Sequence, residues 1–290
     1  MNMLEKALEK SKTIEESINK KQSQKKNEHI LKQQQSPEHI KEVEISAKKA
    51  DIVKFDWDYL NAHGFIRLDE SHSRIAEEYR SIKRPLVTNA LGARKQGINN
   101  ANLILVTSSI PGEGKTFTSI NLAFSIAAEL DKKVLLIDAD VAKPSVAKVL
   151  GIETEIGLID FLETDSLSLS DIILQTEIPG LRIITAGKSH QFSTELLASD
   201  KMIALSKELS ERYSDRIVIF DTPPLLATTQ AEVLASQMGQ IILVIAAETT
   251  AQSFVQESVK KLQSCSDVVL GVLNKAQRNL NAGYYGYGHY

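Results

Sequence analysis

A glycine-rich segment followed by Lys-Thr separates an apolar run from a helix-length stretch early in the chain. Residues 108–116 read Ser-Ser-Ile-Pro-Gly-Glu-Gly-Lys-Thr. Gly112 and Gly114 let backbone N–H groups turn around phosphate oxygens, and the amino terminus of the following helix adds positive potential. Lys115 is suited to reach the β/γ-phosphates, and the Thr116 hydroxyl to hold Mg²⁺. The sequence therefore predicts a nucleotide-binding loop formed by Pro111, Gly112, Glu113, Gly114, Lys115, Thr116 and Phe117.

Three aspartates follow two other apolar runs. Asp138 and Asp140 come after one run and Asp221 after the next but one. Alternation along a strand would direct the first two to the same side. Buried carboxylates need a cation or hydrogen bonds, and Mg²⁺ bound to nucleotide phosphates supplies the charge. A helix cap or turn would explain one aspartate but not the pair. We therefore expect Thr116, Asp138 and Asp221 to hold Mg²⁺.

The elements that position these residues are short apolar runs alternating with amphipathic segments. The runs predict strands at Leu103–Thr107, Val134–Ile137, Leu181–Thr185, Ile217–Phe220, Ile241–Ala246 and Val268–Leu273. The segments between them predict helices at Thr116–Leu130, Ser193–Arg212, Gln230–Gln237 and Thr250–Ser264. Such alternation predicts an α/β fold with a mainly parallel sheet covered by helices on both faces. Ligands bind at the carboxyl ends of the strands in such sheets.

Composition excludes several classes of protein. The 290 residues carry 34 Lys+Arg against 37 Asp+Glu, a net charge of −3, which argues against a general nucleic-acid binder. Cys265 is the single cysteine, so it has no partner for an internal disulfide. The longest apolar stretch, Ile241–Ala247, is too short to cross a bilayer, and the Lys/Glu-rich start does not resemble a signal peptide. These features predict a cytoplasmic protein.

The two ends of the chain differ from its middle. Residues 1–50 contain 11 Lys and 8 Glu and no aromatic residue, so we expect a charged segment with a marginal amphipathic helix and a disordered linker. A solvated tail and a docking helix for another protein are both open interpretations. Residues 51–280 form the predicted catalytic domain. Residues 281–290 are glycine-rich and predict a flexible tail.

The tail holds most of the tyrosines of the chain. Four of the 7 tyrosines lie in its last seven residues, at Tyr284, Tyr285, Tyr287 and Tyr290. Glycines between them favour exposed phenols that are able to enter a neighbouring active site. A sticky aromatic tail that binds a partner by stacking is the alternative.

Together these segments resemble the bacterial protein-tyrosine kinases that accompany capsule and exopolysaccharide export. The resemblance covers Ser71–Tyr290 and is carried by residues 111–116, 134–144 and 217–226, which are similar to the family's Walker A, A′ and B motifs. Residues 186–199, which end in Glu-Leu-Leu-Ala-Ser, are similar to its Glu-Leu-Leu stretch, without the prolines often found before it. The resemblance implies a P-loop NTPase fold and a protein-tyrosine autokinase that uses ATP and Mg²⁺. It also implies that Tyr284, Tyr285, Tyr287 and Tyr290 are the phosphoacceptors.

A further segment resembles the family's Glu-x-x-Arg-x-x-Arg oligomerisation motif. Glu77, Arg80 and Lys83 occupy its three positions, with lysine in the last. On a helix these residues share one broad face, and from spacing alone a solvated charged helix explains them as well. The resemblance implies ion pairs between subunits and a homo-oligomer, with a ring as the expected assembly.

The resemblance also implies a mechanism and partners. Lys115, Asp138 and Asp140 are the expected catalytic residues, with Asp138 accepting the phenol proton and Asp140 assisting; the sequence does not separate the two roles. The expected partners are an adaptor of the chain-length-determinant type in the inner membrane, which recruits the kinase, and a cognate tyrosine phosphatase. The process served is exopolysaccharide synthesis and export.

Two rival functions use the same sequence features. A partitioning or division-site ATPase would use nucleotide-driven dimerisation as a switch, but such proteins carry a signature lysine where this chain has Ile110. Ser109 stands where the strict loop pattern has its first glycine. A non-enzymatic protein that binds nucleotide only for structure would not need all three aspartates. Detection of ATP-dependent phosphotyrosine separates the kinase from both rivals.

Overall fold

The computed structural model describes residues 52–68 and 73–276, of which 91–96 are described as backbone. The predicted charged segment 1–50 and the tail 281–290 lie outside the described residues. The boundaries proposed for them from the sequence therefore stay predictions.

Within the described residues, seven strands form one sheet in the order β3-β4-β2-β5-β1-β6-β7. All neighbouring strands are parallel except β3, which is antiparallel to β4. The strands are β1 Leu103–Ser108, β2 Lys133–Asp138, β3 Leu174–Gln175, β4 Leu181–Ile184, β5 Arg216–Asp221, β6 Gln240–Ala246 and β7 Val269–Asn274. The predicted parallel sheet is confirmed, and β3 is an addition that two residues could not signal in the sequence.

The described residues form ten helices, several of them a single turn or two. Those that precede β3 are α1 Trp57–Ala62, α2 Arg74–Gln96, α3 Lys115–Ala127, α4 Val146–Leu150, α5 Leu158–Glu163 and α6 Leu169–Ile172. Those that follow β4 are α7 Ser193–Leu197, α8 Asp200–Glu211, α9 Gln230–Ala235 and α10 Gln252–Gln263. No helix in these parts of the chain combines the length and the apolarity that a membrane span requires.

The sheet separates two apolar clusters, because successive side chains of a strand point to opposite faces. In β1, Leu103 and Leu105 belong to one cluster, and Ile104 and Val106 to the other. The first cluster includes buried residues of α7, α8 and α9, and the second includes residues of α1, α2 and α3. Helices therefore cover both faces, as the sequence predicts for a sheet whose central strands are apolar throughout.

The segment predicted as one helix over residues 193–212 is two helices. Ser199 accepts a hydrogen bond from the N–H of Met202 and caps the amino terminus of α8, so α7 ends before it. A serine in this position competes with the helix through its own side chain.

Strand order brings the functional loops together. β5 lies between β1 and β2, so the carboxyl ends of these three strands are adjacent. Asp138 at the end of β2 is in register with Asp221 at the end of β5, and Val106 of β1 is the other neighbour of Asp221. The three predicted motifs therefore converge at one edge of the sheet.

Candidate active site

The loop between β1 and α3 has the backbone shape that a phosphate chain requires. Gly112 and Gly114 have φ angles of 86° and 97°, in the left-handed region that favours glycine. Gly114 caps α3 without any side-chain hydrogen bond, and the first turn of this helix contains no acidic residue. Its N–H groups and its positive end are therefore available to an anion.

Glu113 braces the loop from inside the protein. Its side chain is buried, and its carboxylate accepts hydrogen bonds from the N–H of Ile110 at 2.7 Å, from the N–H of Ala246 at 3.3 Å and from the hydroxyl of Thr250. The carboxylate thus points away from the space that a phosphate chain would fill, and Glu113 shapes the loop by tying it to the end of β6.

Ser109 is fully buried in the same loop. Its Oγ accepts a hydrogen bond of 2.9 Å from the buried Ser258 of α10. The serine that replaces the usual first glycine therefore has a partner, which a glycine would lack.

The side chain of Phe117, at the start of α3, packs against Phe65, with ring centroids 5.0 Å apart.

Thr116 and Asp221 meet at the centre of the site. The Thr116 hydroxyl donates to Asp221 Oδ2 at 2.7 Å, and the Ser119 hydroxyl donates to Asp221 Oδ1 at 3.0 Å. Burial raises the pKa of Asp221 to about 6, although Lys115 and the two hydroxyl groups favour the ionised form. Ser119 did not figure in the sequence prediction, yet its position three residues after Thr116 places it on the same helix face.

Asp138 is buried beside Asp221 and bound by backbone amides. Its Oδ2 accepts from the N–H groups of Ser145 and Val146 at 3.1 and 3.0 Å, at the start of α4. Burial raises the pKa of Asp138 to about 7, with repulsion from Asp221 as the second cause. A carboxylic acid with this pKa changes its protonation state near neutral pH.

Lys115 forms an ion pair with Asp140. The Nζ to Oδ2 distance is 2.8 Å, and both side chains are largely buried. β2 ends at Asp138, so strand alternation does not set the direction of Asp140. Instead its N–H donates to Asp138 Oδ1 at 3.2 Å, which folds the chain back at the end of the strand. The structure thus brings together Lys115, Thr116, Asp138, Asp140 and Asp221.

These residues fit a nucleotide with its magnesium ion. Thr116, Asp138 and Asp221 offer hydroxyl and carboxylate oxygens, the hard donors that Mg²⁺ prefers. Among residues 52–68 and 73–276, no three His, Cys, Asp or Glu side chains form a group suited to hold a metal ion. At nucleotide sites Mg²⁺ commonly takes one or two protein oxygens and completes its coordination with phosphates and water.

The predicted oligomerisation residues lie on α2 but do not share one exposed face. Glu77 and Arg80 form an ion pair on the surface. Lys83 is buried; its Nζ lies 2.8 Å from Glu129 Oε1 and 2.6 Å from the carbonyl oxygen of Ser125. The expectation that Lys83 faces outward with the other two is wrong, because α2 buries this side against α3.

Besides Ser119, the sequence prediction missed two residues that contact the loop from a distant part of the chain. Asn274 is the last residue of β7, and its side chain contacts the carbonyl oxygen of Glu113, while the next residue, Lys275, contacts the carbonyl oxygen of Gly112. They lie more than 160 residues away in sequence, and no local pattern signals the contact. Tyr284, Tyr285, Tyr287 and Tyr290 lie outside the described residues.

Comparison with known proteins identifies the family. The AAA domain model matches residues 101–274, more than half of the chain. The tyrosine-protein kinase YwqD of Bacillus subtilis is 32% identical over 224 residues, which are 76% of this chain and 90% of YwqD. The tyrosine-protein kinase Ptk of Acinetobacter johnsonii is 36% identical over 63% of this chain, but the match spans only 24% of Ptk.

A solved structure agrees with the fold. The crystal structure of the chimerical protein CapA2B2 has a TM-score of 0.62 to this chain at 25% identity, and the match covers 80% of this chain and 97% of CapA2B2. Sequence, fold and site geometry agree: the chain is a P-loop protein of the AAA domain family and belongs to the bacterial protein-tyrosine kinases.

Proposed function

We propose that the chain is an ATP-dependent autokinase that transfers the γ-phosphoryl group to the tyrosines of its own C-terminal cluster, from one subunit to another. The observation that carries the proposal is the convergence of Lys115, Asp138 and Asp221 at the uncapped amino terminus of α3. Phosphoryl transfer has a loose transition state, so positioning and charge neutralisation are the main tasks of the protein.

Each residue of the site has a distinct task in this proposal. The amides of the loop and the Lys115 ammonium stabilise negative charge on the phosphates. When bound, Mg²⁺ neutralises phosphate charge, and Thr116, Asp138 and Asp221 are the residues that would hold it. To bind a phosphate, the Lys115 ammonium must either leave Asp140 or contact both groups at once, because it forms an ion pair with Asp140.

Asp138 is the better candidate for the proton acceptor. Its carboxylate oxygens accept hydrogen bonds from the backbone N–H groups of Asp140, Ser145 and Val146, which orient the carboxylate without neutralising its charge. Asp140 is already paired with Lys115 at 2.8 Å, so we assign it the role of orienting that lysine. This assigns separate tasks to the two aspartates that the sequence alone left together.

The length of the chain after β7 limits how far the acceptor tyrosines can lie from the end of this strand. β7 ends at Asn274, ten residues before Tyr284. Ten extended residues span at most about 33 Å, so transfer between adjacent subunits requires the acceptor end of one chain to lie close to the loop of the next. The exposed Glu77–Arg80 pair is the proposed contact between subunits, and a ring is the proposed assembly.

The remaining parts of the proposal concern partners. We propose a membrane adaptor of the chain-length-determinant type that recruits the kinase from the cytoplasm, a cognate tyrosine phosphatase, and a role in exopolysaccharide synthesis. The chimerical nature of CapA2B2 and its likeness to nearly the whole described domain support a kinase that works with a second protein. A docking helix within residues 1–50 is one of the two interpretations that the sequence left open, and we propose it as the segment that contacts the adaptor.

The test is phosphotyrosine formation by the purified full chain with ATP and Mg²⁺. We expect mass spectrometry to find phosphate on Tyr284, Tyr285, Tyr287 or Tyr290. ATP hydrolysis without any phosphotyrosine, on the chain or on an added tyrosine polymer, would instead support the partitioning or division-site type of ATPase. Nucleotide binding with neither reaction would support a non-enzymatic role.

A further inference from the structure

The end of β7 contacts the outside of the nucleotide-binding loop. Asn274 Nδ2 donates to the carbonyl oxygen of Glu113 at 2.8 Å, and Lys275 Nζ donates to the carbonyl oxygen of Gly112 at 2.6 Å. Both side chains therefore bind consecutive peptide groups of the loop. No task in phosphoryl transfer assigned above uses either residue.

The orientation of a peptide group connects these contacts to phosphate binding. In a trans peptide the C=O of one residue and the N–H of the next point in opposite directions. A donor that binds the Gly112 carbonyl therefore directs the N–H of Glu113 away from β7, to the opposite side of the loop. A donor on the Glu113 carbonyl does the same for the N–H of Gly114.

Two further features show that the contact is closely fitted. A Cβ atom added to Gly114 would overlap the side-chain amide of Asn274, and the φ of 97° at Gly114 also favours glycine. Lys275 itself has a φ of 59°, an uncommon conformation for a residue with a side chain. The backbone after β7 thus turns sharply at the residue that contacts Gly112.

The contact is also anchored to the rest of the site. The N–H of Ala247 donates to the carbonyl oxygen of Asn274 at 2.8 Å, and Ala246 is the register partner of Asn274 in β6. The same Ala246 donates its N–H to the Glu113 carboxylate. The ends of β6 and β7 and the loop therefore form one connected unit.

We propose that Asn274 and Lys275 are positioning residues of the nucleotide site, which hold the Gly112 and Glu113 carbonyls outward so that the following N–H groups face the phosphates. The inference rests on the proposed nucleotide-dependent function of the loop. It extends that function to two residues that act on the phosphates through the backbone, without touching them.

The consequence is a selective effect on phosphate-chain binding. The loop amides of such sites cradle the later phosphates of a nucleotide, so ADP gains more from them than AMP does. Loss of the Asn274 or Lys275 donor lets the peptide group rotate. The binding of ADP is then weakened more than the binding of AMP. Because the amides serve bound substrate and transition state alike, the effect falls on the KM for ATP rather than on kcat.

The test measures the dissociation constants of MgADP and AMP for the full chain by calorimetry, together with the KM and kcat for ATP. Lys275→Met and Lys275→Gly each remove the ammonium, and the glycine also suits the positive φ. Asn274→Ala removes the other donor. Lys275→Arg keeps a cationic donor, and Lys133→Met alters an exposed lysine paired with Asp215 on the surface.

We expect each of the three donor-removing variants to raise the dissociation constant of MgADP about tenfold, the effect of one hydrogen bond. The affinity for AMP and the kcat should stay nearly unchanged. Lys275→Arg should recover most of the loss, and Lys133→Met should behave as wild type. The proposal would be overturned if the donor-removing variants bound MgADP as tightly as the unaltered chain. It would also be overturned if they lost affinity for MgADP and for AMP by the same factor. Failure of the unaltered chain to bind MgADP would instead refute the proposed nucleotide site.

Discussion

At the scale of single residues, the site is built from charges that the protein keeps away from water. Asp138 and Asp221 are fully buried side by side, and Asp140 is nearly so. Lys115 is the cation paired with this group in the described structure. Such an arrangement favours a ligand that brings Mg²⁺, because the ion offsets the repulsion between the carboxylates. A phosphate of the same ligand would replace Asp140 as the partner of the Lys115 ammonium.

Lys115→Met should lower the rate of tyrosine phosphorylation by about 100-fold or more, since it removes a donor that stabilises charge in the transition state. The initial rate is measured on an exogenous tyrosine polymer at saturating ATP. Lys133→Met serves as the control, because this lysine pairs with Asp215 on the surface. A rate for Lys115→Met equal to that of the control would show that Lys115 has no part in transfer.

The buried aspartates should also make stability depend on pH. Their pKa values are raised in the folded chain, to about 7 for Asp138, so the stability they contribute is present below about pH 4 and is lost as the pH rises through 7. Asp138→Asn removes one of the two charges. We expect the free energy of unfolding of this variant, relative to wild type, to increase between pH 5 and pH 8.

Urea unfolding without Mg²⁺ at the two pH values measures this difference. Asp215→Asn is the matched control, because its contacts with Lys133 lower the pKa of Asp215 and keep it ionised throughout this range. The control should show no comparable trend. A difference between Asp138→Asn and wild type that stays constant from pH 5 to pH 8 would contradict the raised pKa.

At the scale of elements, the three residues of the predicted oligomerisation motif lie on different faces of α2. One of them packs against the rest of the domain, and the other two lie on the surface. Tyr79 and Leu86 are buried, and Lys83 lies four residues after the first and three before the second. This spacing places Lys83 on the packed face, where it joins α2 to the end of α3 through Glu129 and Ser125. Glu77 and Arg80 remain on the outer surface.

We therefore expect two variants of α2 to differ in kind. Arg80→Glu should shift the protein toward monomer in native mass measurements with little change in thermal stability, because two like charges then meet at the proposed subunit contact. Lys83→Ala should lower the free energy of unfolding by about 1–3 kcal/mol, because it leaves a buried carbonyl without its donor.

Matched controls are available for both variants. Arg212→Glu changes an exposed arginine paired with Glu208 on α8, and should not alter the oligomer. Arg84→Ala changes the exposed neighbour of Lys83, and should cost little stability. If Arg80→Glu and Arg212→Glu give the same oligomer, the subunit contact does not lie at Arg80.

Local sequence predicted the elements and the centre of the site for a physical reason. Short apolar runs that end in Ser108, Asp138 and Asp221 and alternate with helix-length segments favour strands with polar ends, and parallel strands place those ends together. The buried position of Lys83 was not predicted, because the motif spacing placed it with Glu77 and Arg80 rather than with the apolar residues of the same helix. The contacts of Asn274 and Lys275 were not predicted either, because they depend on how the last strand packs beside the loop.

At the scale of the whole molecule, the proposed reaction requires more than one chain. The tyrosine cluster of the tail and the nucleotide-binding loop belong to the same sequence, but the proposed transfer brings the tail of one subunit to the site of another. Each phosphate adds a charge of about −1.5 to −2 next to an acidic site, so phosphorylated tails should dock less well. Accumulated phosphorylation should therefore loosen the oligomer.

The most direct measurement mixes two chains that are each unable to autophosphorylate. One carries Lys115→Met with an intact tail, and the other keeps Lys115 but has Phe in place of Tyr284, Tyr285, Tyr287 and Tyr290. With ATP and Mg²⁺, mass spectrometry should find phosphotyrosine on the tail of the Lys115→Met chain. No phosphate there, while the second chain phosphorylates an added tyrosine polymer, would contradict transfer between subunits.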